Sequence, residues 1–504
     1  MESGLPAPRS PQALWGALFE AVQQAGLFAD SKLFADAVPR AGATPAEIME
    51  AFELQRAQAG FELERFVHRM FVLPEPLAEG AASAPAQTGV EQHIRALWPR
   101  LLRSSDGEDA GSLLALPHPY IVPGGRFREV YYWDSAFTMQ ALLLQDLRPI
   151  AQGMLDNFAA LVRRVGHVPN GNRSYMLSRS QPPLLYRMVE LLCGDEPAPY
   201  LEVLHAEHRF WMAGEAALAP GGANRRVVRL ADGALLNRYW DDACTPRDEA
   251  WREDVETAAE APHRQAADVW RDLRAGAESG WDFSSRWCSD AGRLCTIETT
   301  SHLPIDLNAL LWGLEQAIAR AARQAGNAAL LEEFEARASN RATAIRRHLW
   351  SDGQRCFVDH HWRTGLRREL TAAAVLPLYT GLASPAEAAA VAEVIQLQLL
   401  APNGLRTSLR RSGQQWDQPN GWAPLQVMAV EGLLRYGHAR LARDLAQRWL
   451  GCLERVYRSS GKLVEKYDTE ADRIGGGGEY PTQDGFGWTN ASYVILKRWV
   501  EANH

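Results

Sequence analysis

From Leu307 to Ala325 the chain sets Leu307, Leu310, Leu311, Leu314, Ile318 and Ala321 at spacings of three and four. That period places all six on one face of a helix. Such a stripe must pack on another element to leave water. Gly326 breaks the pattern, and Asn327 stands where it can cap a second helix over 328–349. Together they predict an antiparallel pair. A second pair breaks at Gly437, and its later half repeats the spacing through Leu441, Leu445, Trp449, Leu450, Leu453 and Val456. A third lies within 134–165, broken near Leu147, Arg148 and Pro149. Strand alternation is rare, and CFVDHHW (356–362) is the best candidate for a short hairpin. The expected fold is mostly α, a helical barrel or toroid with loops over one mouth. There is no fixed-period repeat. AEGAASAPAQTG (78–89) reads as a flexible join between an N-terminal helical segment, 1–85, packed on the barrel, and a body, 86–504, that forms one structural unit.

A chain of 504 residues with 46% hydrophobic content can bury a large core. Its net charge of −8 and its lack of a basic run argue against nucleic acid as a partner. No run of 18 apolar residues is present, so no membrane partner is expected. The start, MESGLPAPRSPQALWGALFEAVQQ, lacks the basic, apolar and small-residue regions of a leader. The cysteines (Cys193, Cys244, Cys288, Cys295, Cys356, Cys452) form no CxxC pair or disulfide framework. These features predict a cytoplasmic protein. The 17 tryptophans are in excess, and many flank Asp, Arg or Gly: Trp133, Trp240, Trp281, Trp287, Trp416, Trp422 and Trp488. A Trp face is a flat apolar platform suited to one side of a sugar ring.

The polar motifs fall between helices. PGGRFREVYYWDSAF (123–137) gathers Arg126, Glu129, Trp133 and Asp134 at a helix mouth; capping accounts for Asp134 alone. VPNGNRSYMLSRSQPP (168–183) offers Asn170, Arg179, Ser180 and Gln181 beyond an Asn-Gly turn, and a plain loop explains it equally well. NRYWDDACTPRDEAW (237–251) holds Asp241, Asp242, Arg247, Asp248 and Glu249; the paired Asp could take Ca²⁺, but the spaced oxygen ligands of an EF-hand are missing. ESGWDFSSRW (278–287) sets Asp282 between Trp281 and Phe283, where poor solvation favours the acid form. QQWDQPNGWAP (414–424) again joins Trp and Asp at a turn. KLVEKYD (462–468) presents Glu465, which a surface helix with a Glu–Lys pair would also explain.

Nucleotide, serine-hydrolase and zinc-protease motifs are absent. His360 and His361 are adjacent, so on a strand they point apart and would not share a metal. What remains is carboxylates, arginines and tryptophans, the chemistry of glycoside hydrolysis.

PGGRF-x-E-x-Y-x-WD at 123–134 and QWDQPNGWAP at 415–424 resemble the two signatures of the trehalases of glycoside hydrolase family 37. PNGNRSYMLSRSQPP, ESGWDFSSRW and GGGGEYPTQDGFGWTN resemble further blocks of that family in the same order, so that the likeness spans roughly residues 25 to 500. It implies an all-α (α/α)6 barrel that needs neither metal nor cofactor. It also implies hydrolysis of α,α-trehalose to two glucoses with inversion, in a monomer whose partners are trehalose and water. Carried over, Asp282 is the general acid and Glu465 the general base. Arg126, Trp133, Asp134, Asn170, Arg179, Ser180, Gln181, Arg247, Glu249, Gly280 and Glu479 line the two glucose subsites. The alternatives are a related glycosidase for another α-glucoside and a silent sugar-binding protein. Two positions depart from the family: Ala136 replaces the usual Tyr, and Asp248 replaces the Pro of Arg-Pro-Glu. Asp248 lacks the fixed φ of proline and adds negative charge, which bears on loop rigidity and subsite affinity.

IGGGGEYPTQDGFGW (474–488) reads as a lid. Gly475 to Gly478 would supply backbone freedom, and Glu479 and Tyr480 would ride over the sugar.

Overall fold

The computed structural model describes residues 8–40, 42–74, 88–105 and 107–503. Most of the join at 78–89 lies outside the described residues.

Four helices come first: α1 (Pro11–Gln24), α2 (Lys32–Ala35), α3 (Pro45–Arg56) and α4 (Leu63–Met70). The body continues with α5 (Val90–Leu101), α6 (Tyr132–Leu144), α7 (Arg148–Val165), α8 (Leu185–Cys193) and α9 (Leu201–Trp211). Next are α10 (Trp251–Ala259), α11 (Ala266–Glu278), α12 (Ile305–Gln324), α13 (Ala328–Leu349) and α14 (Leu376–Thr380). The chain ends with α15 (Pro385–Val394), α16 (Ala423–Arg435), α17 (Ala439–Ser460) and α18 (Gly487–Ala502).

Six of these close a ring: α6 touches α8, α8 touches α12, then come α14, α16 and α18, and α18 packs back on α6. A second set, including α7, α9, α13 and α17, covers the ring from outside. This is an (α/α)6 barrel. The ring helices are apolar nearly all round, as elements covered on both sides must be. On α12 the residues from Ile305 to Leu311 are all buried. α13 shows only a narrow buried stripe, Phe334, Ala338, Ile345 and Leu349 among its apolar members.

The predicted punctuation holds at all three pairs. Gly326 sits at φ +71° and the Asn327 side chain accepts from the Leu330 N–H at 3.1 Å. α16 and α17 part at Gly437, φ +79°, and α6 and α7 part before Arg148.

The hairpin expected at 356–362 does not form. Cys356–Phe357 pairs with Trp350–Ser351, whereas His360–His361 lies between His302–Leu303 and Leu366–Arg367. Asp359 divides the run, because its buried carboxylate takes two hydrogen bonds from Arg286, at 2.6 and 2.9 Å, and one from the Ile305 N–H. The two halves therefore pair with different neighbours.

The N-terminal segment carries its own apolar cluster, with Trp15, Phe19, Phe34, Phe52, Phe66 and Phe71 buried. That cluster continues into the body through Tyr131, Tyr175, Met176 and Trp251. Among the described residues no helix is long and apolar enough to cross a membrane.

Candidate active site

The loops at one mouth line a cavity. Arg126, Trp133, Asp134, Asn170, Arg179, Gln181, Arg247, Glu249, Gly280, Asp282, Glu465 and Glu479 all line it. Ser180 does not. Its hydroxyl donates to the Val168 carbonyl at 2.6 Å and its N–H to Glu278 at 2.8 Å, so it holds the 168–183 loop together from behind.

Asp282 is aimed by the end of α11. The helix stops at Ser279, and Gly280 takes φ +73°. A Cβ on Gly280 would come within 2.9 Å of the Trp133 ring, so both the backbone and the neighbour require glycine here. Burial pushes the Asp282 carboxyl up to about 6, against the pull of Arg247.

Glu465 precedes a short strand, Lys466–Asp468, that pairs with Asn420–Trp422. The surface-helix alternative fails here because both Glu465 and Lys466 are buried. Lys466 Nζ lies 5.3 Å from the centre of the Trp422 ring and donates to Glu465 Oε1 at 2.9 Å. Glu465 Oε2 is buried and has no partner. Burial raises this carboxyl and the Lys466 ammonium works against the rise. Asp134, in the first turn of α6, is a third carboxyl. Burial brings it to about 8, with the charges of Asp282 and Glu465 adding to the effect.

Arginines alternate with these acids. Arg179 donates to Asn170 at 2.7 Å and to Glu249 at 2.6 Å. Burial opposes ionisation of Glu249, but Arg179, Arg247 and Arg274 hold its carboxyl below the usual range. Arg247 is fixed by Asp254 at 2.6 Å and reaches Glu479 at 3.0 Å. The Asp pair at 241–242 splits: buried Asp241 pairs with Arg274 at 3.1 Å, while Asp242 is partly exposed beside Arg225. Among the described residues no group of three or more His, Cys, Asp or Glu is placed to hold a metal ion.

Tryptophans floor the cavity. Trp416 stacks on Trp422 with centroids 4.0 Å apart and planes 3° apart, and Trp133 and Trp281 flank Trp416 at 5.7 and 5.4 Å. Trp488 meets Trp422 edge-on at 5.5 Å.

The glycine run forms a wall packed on segment 413–420. A Cβ on Gly475, Gly477 or Gly478 would approach Asn420, Gly413 or Gln415 to 2.7, 2.6 and 2.6 Å, whereas Gly476 faces open space. Tyr480 lies 4.5 Å from the Arg126 guanidinium, ring centre to carbon.

Sequence reasoning missed several wall residues, among them Lys32, Phe127, Tyr131 and Phe486. Phe127, Tyr131 and Phe486 sit inside the motifs quoted above but were not singled out as site residues. Lys32 had no signal, since it belongs to the N-terminal segment; it is buried and donates to Glu129 at 3.0 Å and to Asp36.

One family, described as Trehalase, matches residues 26–499. The chain belongs to the trehalase family. The periplasmic trehalase of Xanthomonas campestris pv. campestris (strain 8004) is 50% identical over 498 residues, covering 97% of this chain and 87% of that protein. The periplasmic trehalase of Citrobacter koseri is 49% identical over 500 residues, covering 97% and 86%. Among solved structures, neutral trehalase from Saccharomyces cerevisiae superposes with TM-score 0.62 at 27% identity, over 76% of this chain and 74% of the yeast one. A GH63 mannosylglycerate hydrolase from Thermus thermophilus shares the fold, with TM-score 0.55 at 18% identity over 81% of this trehalase-family chain and 100% of the other. The periplasmic names overturn the cytoplasmic expectation. The cysteine argument failed for a physical reason: all six are free, and a chain that forms no disulfide carries no mark of its redox compartment.

Proposed function

We propose that the chain hydrolyses α,α-trehalose to two glucose molecules with inversion at one anomeric carbon, Asp282 acting as general acid and Glu465 as general base. The supporting observation is the contrast between two carboxyls that line the cavity, Asp282 and the buried Glu465. Asp282 is shifted up to about 6, so its acid form persists at mildly acidic pH and can protonate the departing oxygen. Glu465 is charge-paired through Oε1, which leaves Oε2 as a free acceptor for the attacking water.

The remaining groups bind. Arg126, Arg179, Arg247, Asn170, Gln181, the Glu249 carboxylate and the carboxyl groups of Asp134 and Glu479 supply hydrogen bonds to sugar hydroxyls. The charged partners, the arginines and Glu249, make stronger bonds than the neutral ones. Trp133 and the stacked pair Trp416 and Trp422 supply apolar faces. The 475–480 wall excludes bulk water around the one that Glu465 activates.

The test is fresh product from trehalose read by NMR. Equal α- and β-glucose is the expected result, and α-glucose alone would refute inversion. Asp282→Ala and Glu465→Ala should each lower kcat by about 10²–10⁴-fold in a folded protein. Turnover on maltose or sucrose in preference to trehalose would favour another α-glucoside as substrate.

A further inference from the structure

One of the two positions that depart from the family, Asp248, is where the N-terminal segment reaches the site. Asp248 is 2% exposed and its side chain turns away from the cavity toward α1. Its Oδ2 accepts from the Gln12 N–H at 2.8 Å. Gln12 is in the first turn of α1, behind Pro11 and the N-cap Ser10. An N–H at that position has no partner within its own helix, and a carboxylate there also complements the helix dipole. The extra charge is thereby absorbed outside the sugar site. A proline at 248 would fix the backbone by covalent geometry but would offer Gln12 no acceptor. Here a tertiary tie takes the place of the ring. It holds the turn whose flanking residues, Arg247 and Glu249, face the cavity.

A second contact of the same segment works beside it, where Arg126 reaches the Glu249 carbonyl at 3.5 Å. Asp30 grips Arg126 with two hydrogen bonds, Oδ2 from Nε at 3.0 Å and Oδ1 from a terminal nitrogen at 2.7 Å. Bidentate pairs fix the direction of a guanidinium as well as its place.

We propose that the N-terminal segment, residues 8–74, is part of the substrate-binding machinery of this enzyme. Asp30, from the segment, and Asp248, which the segment holds through Gln12, are positioning residues that set Arg126 and the neighbouring Arg247–Glu249 turn. Neither touches the sugar. This inference rests on the trehalase reading above, and wild-type enzyme that released no glucose from trehalose would refute that reading instead.

The experiment measures kcat, KM for trehalose and melting temperature for wild type, Asp30→Asn, Asp248→Ala and Asp248→Asn. Asp30→Asn and Asp248→Ala should raise KM about tenfold or more, because small displacements of a clamp propagate to the bound sugar. Asp248→Asn keeps an oxygen for Gln12 and should stay within about threefold of wild type. A purely structural role would reduce the amount of active enzyme and leave KM unchanged. Wild-type KM in Asp30→Asn and Asp248→Ala would overturn the proposal. If Asp248→Ala does not fold, Asp30→Asn decides alone, since Asp30 is partly exposed and outside the apolar cluster.

Discussion

Lys466 Nζ stands 2.9 Å from Glu465 Oε1 and also donates to Gln415 Oε1 at 2.8 Å, so the ammonium of one residue stabilises the negative charge of its neighbour in the chain. Burial works the other way, and Lys466 is the strongest influence that favours the ionised form of Glu465. Lys466→Met, an uncharged side chain of similar length, removes that influence. The Glu465 carboxyl should then titrate higher. A general base works only when ionised, so the acid limb of the kcat/KM profile should move upward by about one pH unit or more. An unmoved limb would separate Lys466 from the chemistry.

The opposite limb belongs to Asp282. It must be protonated to act, and burial holds its carboxyl at about 6 in the free enzyme. As pH rises through that value the acid is lost, so kcat/KM should fall about tenfold per pH unit on the alkaline side. Arg247 is the leading influence pulling it down, and its guanidinium carbon also lies 4.8 Å from the centre of the Phe283 ring. Arg247→Met should therefore push the alkaline limb higher while raising KM, read in the same titration. A limb that stays in place would show that another group sets it.

Much of the barrel was legible because its helices obey the rule that produces them. Apolar residues recur at three and four, Gly326 and Gly437 stop the pattern, and Asn327 caps the next helix. The site was legible through its motifs, since unusual clusters of Arg, Asp, Glu and Trp serve neither core nor solvent. Ser180 was misplaced because a motif gives residue order but not the direction of a hydroxyl, which here bonds the Val168 carbonyl. Lys32 and Asp30 were invisible for the reverse reason. They are single residues in an unremarkable segment, and only tertiary packing brings them to Glu129 and Arg126. The strands at 356–361 failed because Asp359 binds Arg286, a partner 73 positions away in the chain.

The glycine wall admits a sharp comparison. Gly477 has φ +81° and its Cβ would meet the Gly413 carbonyl at 2.6 Å, whereas Gly476 has room. Gly477→Ala should displace the wall that carries Glu479 and Tyr480, raising KM or lowering kcat about tenfold with little change in melting temperature. Gly476→Ala should behave as wild type. The double change Gly476→Pro with Gly477→Pro should be at least as damaging as Gly477→Ala. Equal kinetics for Gly476→Ala and Gly477→Ala would reduce the stretch to an ordinary loop.

Asp134 should reveal a cost in stability that function sustains. Its carboxyl lies at about 8 when folded against an ordinary value of 3.8. Between those values the folded state holds a proton that the unfolded state has released, so stability drains away as pH rises and recovers as pH falls. Asp134→Asn cannot ionise and escapes this loss. The variant should melt higher than wild type at about pH 8 and show little advantage at about pH 3, where the carboxyl is protonated in both the folded and the unfolded state. It should also bind trehalose more weakly at and above about pH 8, where the ionised carboxyl offers a sugar hydroxyl two acceptor oxygens and the amide only one. Melting curves at the two pH values, with KM alongside, check both halves. A variant that melts lower than wild type at both would mean that the charge of Asp134 is paired in the folded protein and that its neighbours Asp282 and Glu465 do not oppose it.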